Sequence, residues 1–154
     1  MQTKMHEDIN RLLNDFGNNL GLKNLELDDQ GHCCLNFDEI YVNIQAIDES
    51  SSVLLYSSLG RLPEDAGRDV HVRLLEANYF FQRTAGATLG MEAATGLVAM
   101  TITVDLADME LTDWEAAMKA FVDAAENCIQ LFHAVPQGVQ ELVRPSGFNH
   151  IILA

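Results

Sequence analysis

The stretch "LLEANYFFQRTAGATLGME", residues 74–92, constrains the fold more than any other, because a helix running into it would be apolar on two sides. Turned at about 100° per residue, Val70, Leu74, Ala77 and Phe81 form one stripe, and Val72, Leu75 and Tyr79 form another nearly opposite. His71, Glu76, Gln82 and Arg83 lie between them. A surface helix on its own sheet buries one apolar stripe, and a second left bare is a patch of the kind that marks an interface. Either another element of the same chain covers it or a symmetry mate does. The preferred reading is a two-fold homodimer in which Val72, Leu75 and Tyr79 face the axis.

The rest of the pattern says what this helix packs on. Met5, Ile9, Leu12, Leu13, Phe16 and Leu20 recur at helical spacing, which predicts an amphipathic helix from Lys4 to about Asn19, with Gly17 and Gly21 available to end it. Alternating apolar residues then predict four antiparallel strands: Leu25 with Leu27; Cys33, Leu35 and Phe37; Val42, Ile44 and Ala46; and the run "SVLLYSSLG". The second helix is expected over about Arg68 to Arg83, and a hairpin turning near Gly96 follows, with Gly90 read as a bulge. Thr112 and Glu115 have the spacing of a capping box, opening a helix whose stripe includes Trp114, Met118, Phe121, Val122 and Ile129. These five read as structural core. The fold class is thus α+β, helices packed on a twisted antiparallel sheet. Residues 1–135 read as one domain and 136–154 as a tail of unassigned structure.

The charge excludes several partners. A formal net charge of -14 disfavours nucleic acid and anionic membrane surfaces, whose binding rests on Lys and Arg. Seven acids and no Lys or Arg fall between Asn24 and Ser52, and seven acids against Lys119 alone between Asp105 and Glu126. The start of the chain lacks the apolar core of a secretory signal, and Cys33, Cys34 and Cys128 form no CxxC, so a reducing cytoplasmic location is expected.

No catalytic or metal motif stands out. "HEDIN" places Asn10 where HExxH needs its second histidine, and no serine sits in a nucleophile elbow. His6, His32, His71, His133 and His150 show no ligand spacing. No cofactor, no metal and no catalytic residue is expected.

Several segments in order resemble the class I type III secretion chaperones, the Tir-chaperone family: "LLNDFGNNLGL" leading to "LELDDQGHCCLNFDE", then "LLYSSLGRLP", then "LLEANYFFQRTAGATLGMEAATGLVAM". The likeness runs from about Asp8 to Phe132. It implies a non-catalytic cytoplasmic homodimer of order α-β-β-β-α-β-β-α whose second helix builds the dimer interface. It also implies that an N-terminal segment of a secreted effector is bound in extended form and presented to the secretion ATPase. Helix one and the strands would receive the effector, and the candidate residues are Ile9, Leu13, Phe16, Leu35, Phe37, Ile44 and Leu54. Two other readings are a regulator that sequesters a partner controlling secretion genes and, in a different class, a small ligand-binding protein or enzyme.

Overall fold

A computed structural model of the chain describes residues 2–47 and 50–132, so the tail 136–154 lies outside the described residues. The elements are α1 (Gln2–Asn19), β1 (His32–Phe37), β2 (Ile40–Ala46), β3 (Ser52–Arg61), α2 (Arg68–Asn78), a 3₁₀ turn (Tyr79–Phe81), β4 (Thr88–Met91), β5 (Leu97–Asp105) and α3 (Leu111–Phe132). The strands form one antiparallel sheet in the order β1-β2-β3-β5-β4. This is the α+β arrangement expected, helices on an antiparallel sheet. Among the described residues no helix is long and apolar enough to cross a membrane.

Register decides which side chains meet the helices. Cys33, Ile44, Leu55 and Ile102 pair in one row across the sheet and face a core shared with Ile9, Leu13 and Phe16 of α1 and Trp114, Met118 and Phe121 of α3. The alternate row, Cys34, Asn43, Tyr56 and Thr101, lies on the other face. A period of two sends neighbours to opposite sides, so the apolar set of β2 reaches the core only in this register. Of the α3 residues expected in the core, Trp114, Met118 and Phe121 are buried, and Val122 and Ile129 are half-buried against it.

Three strands, not four, separate α1 from α2. The segment at Leu25 and Leu27 pairs with no strand, because α1 claims its backbone: the Leu27 N–H donates to the Asn10 side-chain oxygen at 2.8 Å. Gly17 stays inside α1 and does not end it; a Cβ there would stand 2.8 Å from the Leu25 Cβ, so the glycine lets the returning segment approach. Gly21, at φ 75°, is the stop. Leu22 N–H donates to Gly17 C=O at 2.8 Å and Gly21 N–H to Asn18 C=O at 3.1 Å, the paired bonds of a Schellman end.

Other boundaries also move. The second helix ends at Asn78, five residues before Arg83, because Phe80 and Phe81 adopt left-handed φ values of 50° and 55°. Gly90 pairs regularly with Ala99, and the irregular register lies instead in β3 between Ser58 and Gly60. Helix α3 begins at Leu111, ahead of Thr112, and Glu115 is not engaged as a cap: its carboxylate accepts the Asn19 side-chain amide at 2.7 Å, tying the end of α1 to the start of α3.

Both edge strands are clamped by a nearby side chain. Asn78 receives the Leu89 N–H at 2.8 Å and donates to the Leu89 C=O at 3.0 Å, imitating a strand partner for β4. Asp28 does half of this for β1, its carboxylate accepting the His32 N–H at 2.9 Å while its own N–H donates to the His32 C=O at 2.8 Å.

Two stability changes follow. Phe121→Ala should lower unfolding free energy by about 3–5 kcal/mol in urea titration, since the ring is buried in the core. Asn78→Ala should cost about 1–3 kcal/mol, by leaving both Leu89 backbone groups without their partner, and should speed hydrogen exchange at the Leu89 amide above the rest of the sheet.

Candidate functional site

Two surfaces of the described chain group apolar side chains at the edge of the core, while Leu20, Leu22 and Met91 are exposed elsewhere. The first is the end of α2. Leu75 is 71% exposed, Tyr79 64%, Phe80 76% and Phe81 53%. Val72 is half-buried beside them. The opposite stripe turns inward, with Leu74 and Ala77 buried and Val70 half-buried, so the helix does have one covered side and one bare side. Phe81 leaves the buried stripe because the helical path ends before it. Tyr79 and Phe80 stack edge to face with centroids 4.6 Å apart, making an aromatic knuckle.

The second surface is a groove of about 530 Å³ between α1 and the loop joining β5 to α3. Met5, Ile9 and Leu12 line it from α1, and Leu106, Met109 and Leu111 from the loop and the start of α3. Asp8, Asp15, Asp108 and Glu110 also line it, with Arg11 the basic residue among them. The Asp105 carboxylate secures the loop, accepting the Ala107 N–H and the Ser51 hydroxyl, both at 2.9 Å. The Ala107 bond, and then the Ser51 bond, hold that carboxyl below its usual titration range.

The seven residues expected to receive an effector are distributed unevenly. Leu13, Phe16, Leu35 and Ile44 are buried in the core, where they hold α1 on the sheet. Ile9 is also buried yet lines the groove. Leu54 is buried on the far face, in register with Gln45 and Thr103. Phe37, half-buried, lies at the end of edge strand β1. Met5, Leu12, Leu106, Met109 and Leu111 complete the groove; Met5 and Leu12 are legible in the stripe of helix one, but none of the five is among the effector-binding candidates. The pattern "DLADMEL" carried the signal, three apolar residues spaced through a charged loop where a plain connection would be polar.

Among the described residues no group of three or more His, Cys, Asp or Glu is placed to hold a metal ion. The cysteines are free; burial raises the Cys33 and Cys128 thiols, Cys33 to about 11, and the thiol of Cys34, a surface residue, is raised by partial desolvation. At neutral pH they are protonated and poor nucleophiles.

Comparison with known proteins converges on one family. The family model described as "Tir chaperone protein (CesT) family" matches residues 11–128. The transcriptional anti-antiactivator ExsC of Pseudomonas aeruginosa is 29% identical over 119 residues, 77% of this chain and 81% of that protein. The Tir chaperone of Escherichia coli O157:H7 is 23% identical over 122 residues, 79% of this chain and 78% of its own. Among solved structures, the ExsC–ExsE complex superposes with a TM-score of 0.68 at 26% identity, covering 87% of this chain and 98% of the matched one. The HopA1–SchA chaperone–effector complex, at 17% identity and a TM-score of 0.64, covers 81% and 95% and has the same fold. With the family model matching from the middle of α1 through most of α3, the chain belongs to the Tir chaperone (CesT) family of type III secretion chaperones.

Proposed function

We propose that the chain is a non-catalytic cytoplasmic chaperone that binds an N-terminal segment of a type III secretion effector in extended form. It keeps that segment soluble and secretion-competent and helps deliver it to the secretion apparatus, with the secretion ATPase as a further partner. The observation that carries the reading is family membership, reinforced by the fold it shares with ExsC as solved with ExsE. An extended segment is held by backbone bonds at a sheet edge and by apolar pockets for alternate side chains, and β1 with the α1 groove supplies both kinds of surface. Ile9 contributes to that groove directly. Phe37 lies on edge strand β1 at the end of the sheet away from the groove, where it would meet a segment running along that edge, while Leu13, Phe16, Leu35 and Ile44 support α1 from the core and Leu54 lies on the other face of the sheet. Binding of this kind needs no cofactor.

The chain would act as a homodimer joined through Val72, Leu75 and Tyr79. Support comes from the bare side of α2 and the aromatic knuckle beyond it, a contiguous apolar patch of the sort that partners cover.

A second reading has its own support. The relative ExsC is an anti-antiactivator of transcription, which favours a chaperone-like regulator that sequesters a partner controlling secretion genes. Both readings use the same groove, and the partner's identity separates them.

Three outcomes are expected. Purified chain should elute at twice its 17.1 kDa mass, and Leu75→Asp should halve it with an unchanged circular dichroism spectrum, because Leu75 is exposed in the single chain and its replacement leaves the core intact. A wild-type monomer at micromolar concentration refutes the dimer. Mass spectrometry of proteins co-purified from secreting cells should return an effector N-terminus; a regulatory protein in its place selects the second reading. Leu12→Glu, on the half-buried groove wall, should cut recovery of that partner by about tenfold while mass and spectrum stay unchanged.

A further inference from the structure

The groove between α1 and the β5–α3 loop is apolar along its floor and anionic along its rim, and the rim is built by the loop's own hydrogen bonds. Leu106 N–H donates to Ser51 C=O at 2.9 Å, and Met109 N–H to Leu106 C=O at 3.2 Å. Between them Asp108 takes a left-handed φ of 56°, which Asp tolerates better than most residues. With the Asp105 bonds, the loop presents Asp108 and Glu110 opposite Asp8 and Asp15 of α1 across a preformed concavity.

Charge around that concavity is one-sided. Four carboxylates line it against one guanidinium, Arg11, which already lies 3.2 Å from Asp8. Three negative charges are left over within one groove, on a chain whose net charge is itself -14. Low-dielectric walls concentrate such a field, so a cation entering the groove meets a stronger potential than one on an open face. An acidic segment would add repulsion to the cost of drying the carboxylates.

We infer that the groove selects an extended segment in which an apolar side chain is flanked, one or two positions away, by Lys or Arg. The apolar side chain seats among Met5, Leu12 and Met109, and the basic stems lie along the walls with their heads at the rim carboxylates. Arg fits best, because its planar fork can engage a carboxylate through two parallel bonds. This rests on the chaperone reading above and adds what that reading leaves open, the chemistry of the segment.

The test uses the full-length chain and three synthetic dodecapeptides with the same spaced leucines, the intervening positions filled by Arg with Ser, Gln with Ser, or Glu with Ser. At low ionic strength the Arg peptide should bind about tenfold more tightly than the Gln peptide and the Glu peptide more weakly than either, and the Arg advantage should shrink severalfold in about 0.5 M salt, where the Debye length falls to a few ångströms. Joint replacement Asp108→Asn and Glu110→Gln should remove most of the Arg advantage and leave the Gln peptide unaffected. Amide exchange at 106–111 should slow when the Arg peptide is bound. Equal affinity for the Arg and Gln peptides overturns the inference while leaving the chaperone reading intact, provided an effector still co-purifies. Loss of dimer mass in the double variant also overturns it, since a second copy would then be the occupant. If no peptide binds and no effector co-purifies, the reading beneath it falls as well.

Discussion

Everything in the chain hangs on the contact between Phe16 and Trp114, whose rings meet edge to face at 6.1 Å with planes 89° apart. Phe16 ends the apolar stripe of α1, and Trp114 sits in the first turn of α3, fully buried. The indole N–H has no hydrogen-bond partner among the described residues. Burial of roughly 150–250 Å² of ring surface at about 25 cal/mol per Å² contributes around 4–6 kcal/mol. Packing wins over polarity here, so the tryptophan serves as a pin between two helices. The Asn19–Glu115 bond, three residues beyond Phe16 on α1 and one beyond Trp114 on α3, is a second tie between the same two helix ends.

The groove is a consequence of where that pin is placed. Phe16 is near the C-terminal end of α1, whereas Trp114 is near the N-terminal end of α3. The earlier turns of α1, from Met5 to Leu12, therefore run past the start of α3, and on that side they face the β5–α3 loop across a gap. A loop cannot fill space as a helix does, so a concavity is left. The same residues that lock the fold thus fix the shape of the surface next to it.

Periodicity made the fold readable. Strict alternation in β2 and the long stripe of α3 each allowed one placement, and the pairing register agrees with both. What escaped depended on contacts between distant segments. Leu25 and Leu27 alternate like a strand, yet Asn10, seventeen residues away, takes the Leu27 N–H. Thr112 and Glu115 have capping-box spacing, yet Glu115 is drawn to Asn19 across the helix pair. The candidate groove was half-legible: Ile9 belongs to it, but α1 residues chosen for being most apolar were the ones the core would claim first, and Leu12, off the centre of the stripe, was passed over. An apolar residue free to bind is found at the margin of a stripe, where the core no longer needs it.

The knuckle at Tyr79–Phe81 obeys a different logic. Two consecutive phenylalanines held at left-handed φ each carry about 1–3 kcal/mol of backbone strain, which persists only where surrounding contacts over-determine it. Within the single chain those contacts are few, since both rings are more than half exposed. A relaxed continuation of α2 would have returned Phe81 to the stripe of Leu74 and Ala77, so the kink gives up burial as well as backbone comfort. An unbroken helix, however, would carry the chain on past Leu89, whereas ending at Asn78 lets that side chain clamp the edge of β4. Part of the strain is thus offset inside the chain by the clamp. The rest leaves three aromatic rings facing outward beside Leu75, and burying them against a partner would supply the stabilisation that the single chain lacks.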